Sequence, residues 1–286
     1  MLAHYLLAFF LLACPPHEGK HEQIEAATEA LELAPQNLGL RLARAEVYLL
    51  HDELQACADD LQLAEELAAG DLAVQLLRAR LQLAQKQYTT CLRSIDQVLA
   101  ADLEQSTRLI ALRLRAACLT AFVDSAAATE AITAKATAAQ MVAAAEAWSV
   151  LIAAHPQPQP DWYLTRANLQ AHSPRLAILG LGQGLERLGN VVSLLLRASE
   201  LEEQLGLTDA AVARLQILAD QSVRKETWLT RQGAVFQRAG RMEQARDYFE
   251  RALSAWQQLP EKRRNTFSMQ QLLSEITTGL EVLQNA

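Results

Sequence analysis

Turn-forming and aromatic residues are scarce in this chain. Its 286 residues include only 11 Gly and 8 Pro, and Phe, Trp and Tyr together make 5%. A β-sandwich or barrel needs many short strands joined by Gly- and Pro-rich turns, so both are excluded. Cysteine is sparse as well. Cys14, Cys57, Cys91 and Cys118 form no CxxC or CxxxC spacing, which speaks against a disulfide framework and a zinc site. Beyond Cys14 no apolar run is long enough for a transmembrane helix. An excess of positive charge is missing too: 26 Lys and Arg stand against 33 Asp and Glu, a formal charge of −7. Nucleic acid is not expected as the ligand, because neutralising phosphates needs a basic face. No Walker A, GxSxG or EF-hand spacing occurs. Neither a cofactor nor a metal is therefore expected.

What the chain has instead is alanine and leucine, 51 of each. Both are strong helix formers, so the expected fold class is all-α. With 51% hydrophobic residues the chain is not disordered throughout. Its charge is uneven. From His17 to Ser106 there are 16 acidic and 7 basic residues; from Gln221 to Asn265 there are 10 basic and 5 acidic. One end of the fold is expected to be acidic and the other basic. A solvated surface explains this, although such asymmetry can also orient a partner.

A fixed period runs through the sequence. Ala45 and Ala79 lie 34 residues apart, as do Cys57 and Cys91, Leu61 and Ile95, and Ala64 and Val98. The same order of small and large residues returns as Gly233, Phe236, Gly240, Ala245, Phe249 and Ala252. This pattern resembles the tetratricopeptide repeat, whose period is about 34 residues. The resemblance implies a helical-hairpin solenoid forming a right-handed superhelix, here in two subarrays. Small residues let the two helices of a repeat approach, and large ones fill the space beside them. No repeat buries its apolar face alone, so neighbours must stack.

The register gives a domain plan. Residues 22–155 form an N-terminal subarray. It begins with a lone second helix from Gln23 to Pro35. Full repeats follow from Leu38 to Asp71 and from Leu72 to Glu104. A third is expected from Thr107 to about Ala136, and a further helix from Ala136 to His155. Pro156, Pro158 and Pro160 make residues 156–160 a stiff seam. Residues 161–260 form a C-terminal subarray of three repeats, starting at Trp162, Val191 and Glu226. Residues 261–286 supply a half-polar capping helix, roughly Thr266 to Leu283. Cys57 and Cys91 take a slot that requires a small residue, and Cys118 sits inside a first helix. All three are expected to be buried and unpaired.

The first residues carry a different signal. Leu2 to Ala13 has the length of a secretory signal core, so 1–13 reads as a signal peptide. Leu11-Leu12-Ala13-Cys14 resembles the lipobox of bacterial lipoproteins. The resemblance implies lipidation at Cys14, a tether over 14–21, and outer-membrane anchoring on the periplasmic side, given Pro15. A cytoplasmic chain is the alternative. His17-Glu18-Gly19-Lys20-His21 matches the zinc-protease spacing HExxH, but Gly19 weakens a helix there and no third ligand is near, so it reads as solvated tether. Gly180, Gly182 and Gly184 follow no strand and read as helix-packing positions.

Tetratricopeptide relatives that bind peptides use side chains projecting from the first helices into a groove. The resemblance places Leu42, Glu46 and Leu49, then Leu76 and Arg80, then Arg113 in the first subarray's groove. In the second it places Asn168 and His172, then Glu202, then Gln237 and Arg238. Leu42, Glu46 and Leu50 stand where a carboxylate clamp needs Lys and Asn, so an adaptor for chaperone tails is disfavoured. The function implied is a non-catalytic scaffold for a protein or peptide partner, touching membrane only through its lipid anchor. A self-associating homo-oligomer is the second reading. An enzyme is the least favoured, since no acid, base and nucleophile converge.

Overall fold

The computed structural model describes residues 20–128 and 134–284. Among them every regular element is an α-helix, fifteen in all, and there is no strand. The chain divides into two compact units, Met1–His155 and Pro156–Ala286. Cys14 and His17 lie outside the described residues. Lys20 and His21 already belong to the first helix.

In the first unit a lone helix, α1 (Lys20–Leu33), precedes three hairpins: α2 (Leu38–Leu50) with α3 (Leu54–Leu67), α4 (Leu72–Ala84) with α5 (Tyr88–Leu99), and α6 (Gln105–Ala128) with α7 (Ala134–Ala154). Each helix packs on its neighbours in sequence, and α4 also touches both α2 and α6. Side-chain caps start two of the first helices. The Asn37 carboxamide accepts from the Leu40 amide at 3.2 Å, and Asp71 accepts from Ala73 and Val74 at 2.8 and 3.2 Å. Ala45, Ala79, Cys57, Cys91, Leu61, Ile95, Ala64 and Val98, the four pairs that define the period, are all fully buried.

Four of the hairpin turns share one device. The amides of Glu53 and Gln87 reach back five residues, to the carbonyls of Tyr48 and Gln82, at 2.9 and 2.8 Å. Leu207 and Arg241 do the same to Glu202 and Phe236, at 2.8 and 2.9 Å. This is the Schellman ending of a helix, and it needs a left-handed residue just before the donor. Asp52, Lys86, Gly206 and Gly240 fill that place, with φ of 62°, 60°, 72° and 74°.

The third hairpin differs from the sequence expectation. A repeat ending near Ala136 would need a turn near residues 120–124. Instead α6 runs unbroken for 24 residues, and α7 follows with 21. The physical reason lies in residues 116–128, which contain neither Gly nor Pro and are rich in Ala, so nothing stops the helix. The long helices are tied laterally. The Trp148 indole donates to Thr120 Oγ1 at 2.9 Å, and Tyr88 stacks on Phe122 with ring centroids 5.5 Å apart.

The second unit holds α8 (Pro160–Leu169) with α9 (Pro174–Leu188), α10 (Val192–Gln204) with α11 (Thr208–Gln221), and α12 (Glu226–Arg238) with α13 (Met242–Gln257). A single turn, α14 (Glu261–Arg264), leads to the last helix, α15 (Phe267–Gln284). Proline opens α8 and α9, where its missing N–H is harmless. The Gly180 carbonyl accepts from the buried Arg166 guanidinium at 2.8 Å. A Cβ on Gly180 would lie 2.7 Å from that group, and one on Gly184 would lie 3.0 Å from Tyr163 and Leu194. These glycines are thus packing positions. Met269, Leu272, Ile276 and Leu283 turn one face of α15 onto α12 and α13, while its other face is exposed and mostly polar. The Trp256 indole donates to the Met269 carbonyl at 2.9 Å, and Arg246 donates to that of Leu283 at 2.7 Å. The terminal helix therefore covers the end of this core.

Candidate functional site

The first helices of each unit carry the residues assigned to the groove, and the structure sorts them. In the first unit Leu42 and Leu76 are buried. Leu42 joins the core around Ala45, Cys57 and Leu61, and Leu76 joins the one around Ala79, Cys91 and Leu114. They sit inside the array instead of lining a groove, because leucine at this slot packs against the next helices. Leu49 is half-buried against the first of these cores. Glu46 and Arg80 stand 34 residues apart and bond each other at 2.6 Å. They join two neighbouring first helices and neutralise each other. Arg113 is exposed on α6.

In the second unit Glu202 is buried. Its carboxylate accepts from Arg214 on its own hairpin partner, at 3.1 and 3.2 Å, so it is not open to a ligand. Glu203 and Arg238 form a two-point ion pair between α10 and α12, one of its bonds at 3.0 Å. That pairing raises the pKa of Arg238, first through its hydrogen bond to Glu203. Asn168 is exposed on α8. His172 falls in the turn between α8 and α9, off the helix face, because α8 ends at Leu169 and Pro174 begins the next helix.

Gln237 has a different setting. It stands at a cavity of about 370 Å³ between α12, α13 and α15. Phe249 and Ala234 give the cavity apolar walls, with Val282 beside them. Gln237, Ser274, Glu275 and Thr278 supply polar groups. Phe249 is fixed there by two glycines. A Cβ on Gly233 would stand 3.1 Å from its ring, and one on Gly279 would stand 2.6 Å from it. The ring thus fills the space that two missing side chains leave. The chemistry available is shape and hydrogen bonding: an apolar pocket for a side chain, beside amide, hydroxyl and carboxylate groups for a backbone.

Several polar residues that matter were not picked out from the sequence. Asp60 is buried and accepts from Arg41 at 3.2 Å and from Arg44 at 2.8 and 2.7 Å. The hydrogen bond to Asp60 leads the causes that raise the pKa of Arg44. Arg41 and Arg44 recur one turn apart on α2, which is the signal that would have pointed to a shared acid on α3. Cys57, Cys91 and Cys118 are free and buried, as their slots imply. Burial pushes the Cys57 thiol up to about 11. A thiol held neutral is a poor nucleophile. Among the described residues no group of His, Cys, Asp and Glu is placed to hold a metal ion.

Stacked antiparallel helix pairs, closed by a terminal helix, define a helical-hairpin repeat protein. No protein-family model and no curated protein matches the sequence. Solved structures do match. One is the C-terminal part of a TPR repeat-containing protein from Cytophaga hutchinsonii, 12% identical, covering 90% of this chain and 97% of that one, with a TM-score of 0.61. Another is a tetratricopeptide repeat protein from Parabacteroides merdae, 14% identical, covering 90% of each chain, with a TM-score of 0.46. The chain has the tetratricopeptide-repeat fold.

Proposed function

We propose that this chain is a non-catalytic scaffold that holds a peptide segment of a partner protein on the α12–α15 face of its second unit. The cavity of about 370 Å³ beside Gln237 carries this reading. Its apolar walls suit an aliphatic or small aromatic side chain, and its polar groups suit the backbone beside it. The groove charges of neighbouring repeats are already matched to each other, as Glu46 with Arg80 and Glu203 with Arg238. Recognition by shape and hydrogen bonding therefore fits better than recognition by a charged clamp. The lipobox-like Leu11 to Cys14 supports a lipid-anchored place in a bacterial envelope, where this partner would be met.

A photo-crosslinking residue at Gln237, in the full chain, tests the site. The expected result is a polypeptide adduct that Ala234→Trp abolishes by filling the cavity. The same probe at Glu250, an exposed position on α13, should give none. Equal adducts at both positions, or an adduct that survives Ala234→Trp, would remove the cavity from the reading.

A further inference from the structure

The two ends of the last repeats treat their arginines differently. At the end holding the α10–α11 and α12–α13 turns, every arginine is matched. Arg238 pairs with Glu203, and Arg241 with Asp209 at 2.5 Å. At the opposite end α11 finishes, α12 starts, α13 finishes and α15 starts. The indole bond from Trp256 to Met269 holds the last two of these together. Here Lys225, Lys262 and Arg263 are exposed and make no ion pair among the described residues. Arg264 lies over the Trp256 ring at 5.5 Å, and Arg224 stands 3.8 Å from the buried Glu226. The exposed carboxylates at this end are Asp220 and Glu261. Asp220 already accepts from Gln216 at 2.8 Å.

Two large apolar side chains flank these cations and touch almost nothing. Val223 is 101% exposed and Phe267 is 86% exposed. Val223 immediately precedes Arg224, and Phe267 opens α15 three residues after Arg264. A lone exposed apolar residue is ordinary. Two bared ones, Val223 in a connection and Phe267 at a helix start, among unmatched Lys and Arg, have a narrower use. Water gains nothing from them, and an acidic peptide would match the charges without needing the apolar tips. An anionic bilayer meets both needs. Its headgroups take the cations, and the shallow acyl boundary takes Phe267 and Val223.

We propose that this end of the second unit is a peripheral docking surface for an anionic lipid bilayer. Lys225, Lys262 and Arg263 supply the electrostatic attraction, and Phe267 the shallow insertion. The proposal is independent of the cavity and of lipidation at Cys14.

Vesicle flotation tests it, using the full chain with Cys14→Ser so that no lipid anchor can form. The readout is the ratio of protein bound to phosphatidylcholine vesicles containing phosphatidylglycerol over that bound to phosphatidylcholine alone. This ratio removes any charge-independent contribution from Leu2–Ala13. A ratio well above one is expected, falling as salt is raised. Lys225→Glu with Lys262→Glu and Arg263→Glu should lower it by about tenfold or more. Phe267→Ser alone should lower binding to the anionic vesicles by about fivefold. Arg93→Glu, an exposed reversal in the first unit, should change neither quantity. A ratio near one, or a triple variant that binds like its parent, overturns the proposal. Capture of a polyglutamate peptide through the same three residues, without vesicle binding, overturns it in favour of an acidic polypeptide.

Discussion

The two units close their helix pairs with different chemistry. In the first unit α2 and α3 are held by a buried carboxylate, Asp60, gripped by two arginines. In the second unit α12, α13 and α15 are held by the Phe249 ring lodged against Gly233 and Gly279. The turns differ in the same way. The left-handed position is taken by Asp52 and Lys86 in the first unit and by Gly206 and Gly240 in the second. The repeat dictates volume and backbone path. It leaves open whether a junction is closed by an ion cluster or by a ring, and whether a turn carries strain. The α2–α3 junction should therefore respond to loss of charge, and the α12–α13–α15 junction to loss of volume.

Removing the ring should have the largest effect. Phe249→Ala empties a fully buried aromatic site between three helices, and such truncations cost about 3–5 kcal/mol. The loss should appear as a lower denaturation midpoint for the second unit, with first-unit signals unchanged. Gly279→Ala provides the complementary break, since its Cβ would meet the ring at 2.6 Å. Overpacking of this kind costs about 1–3 kcal/mol. Near-native stability in Phe249→Ala would mean that the ring is incidental, and the contrast between the units would collapse.

Asp60→Ala comes next. Arg41 and Arg44 are mostly buried and would lose their shared acceptor. Hydrogen bonds to charged groups contribute about 1.5–3 kcal/mol, so a loss near 2 kcal/mol is expected, confined to the first unit. Asp60→Asn keeps the shape and one acceptor, and should recover part of it. A double-mutant cycle with Arg44→Ala should show coupling, since the two groups touch. Additive effects would show that Asp60 is held by packing and that its ion pairs contribute little.

How much of this could be read from the residues follows the same division. The slots were legible because burial selects size at a fixed spacing. Ala45, Cys57, Leu61 and Ala64 are interior, as are their partners 34 residues on. The α6–α7 hairpin is not legible, because its alanine-rich stretch has no stop signal. The groove was legible only in part. A projecting position in the pattern does not say whether its side chain is then absorbed by a neighbour, as Glu202 is by Arg214 and Glu46 by Arg80. The α12–α15 cavity needs a helix outside the repeat register, so no spacing rule reaches it. Asp60 was hidden because an acid on an amphipathic helix looks like solvent-facing charge until its two arginines are seen on the facing helix.

The turns offer the smallest effect and the most direct exchange between units. Asp52, Lys86, Gly206 and Gly240 serve one backbone motif, at φ between 60° and 74°. A residue with a Cβ is strained there by roughly 1–2 kcal/mol, and glycine is not. Glycine also adds freedom to the unfolded chain, which offsets about half of that relief. Lys86→Gly should therefore raise stability by about 0.5 kcal/mol. Asp52→Gly should gain less, because Asp tolerates the left-handed region better than Lys. The reverse exchange, Gly240→Lys, should lose a similar amount in the second unit. Denaturation midpoints with unchanged slopes would report all three. If Lys86→Gly destabilises, the Lys86 side chain contributes something that its exposed position hides, and the difference between the units at their turns would be one of function instead of strain.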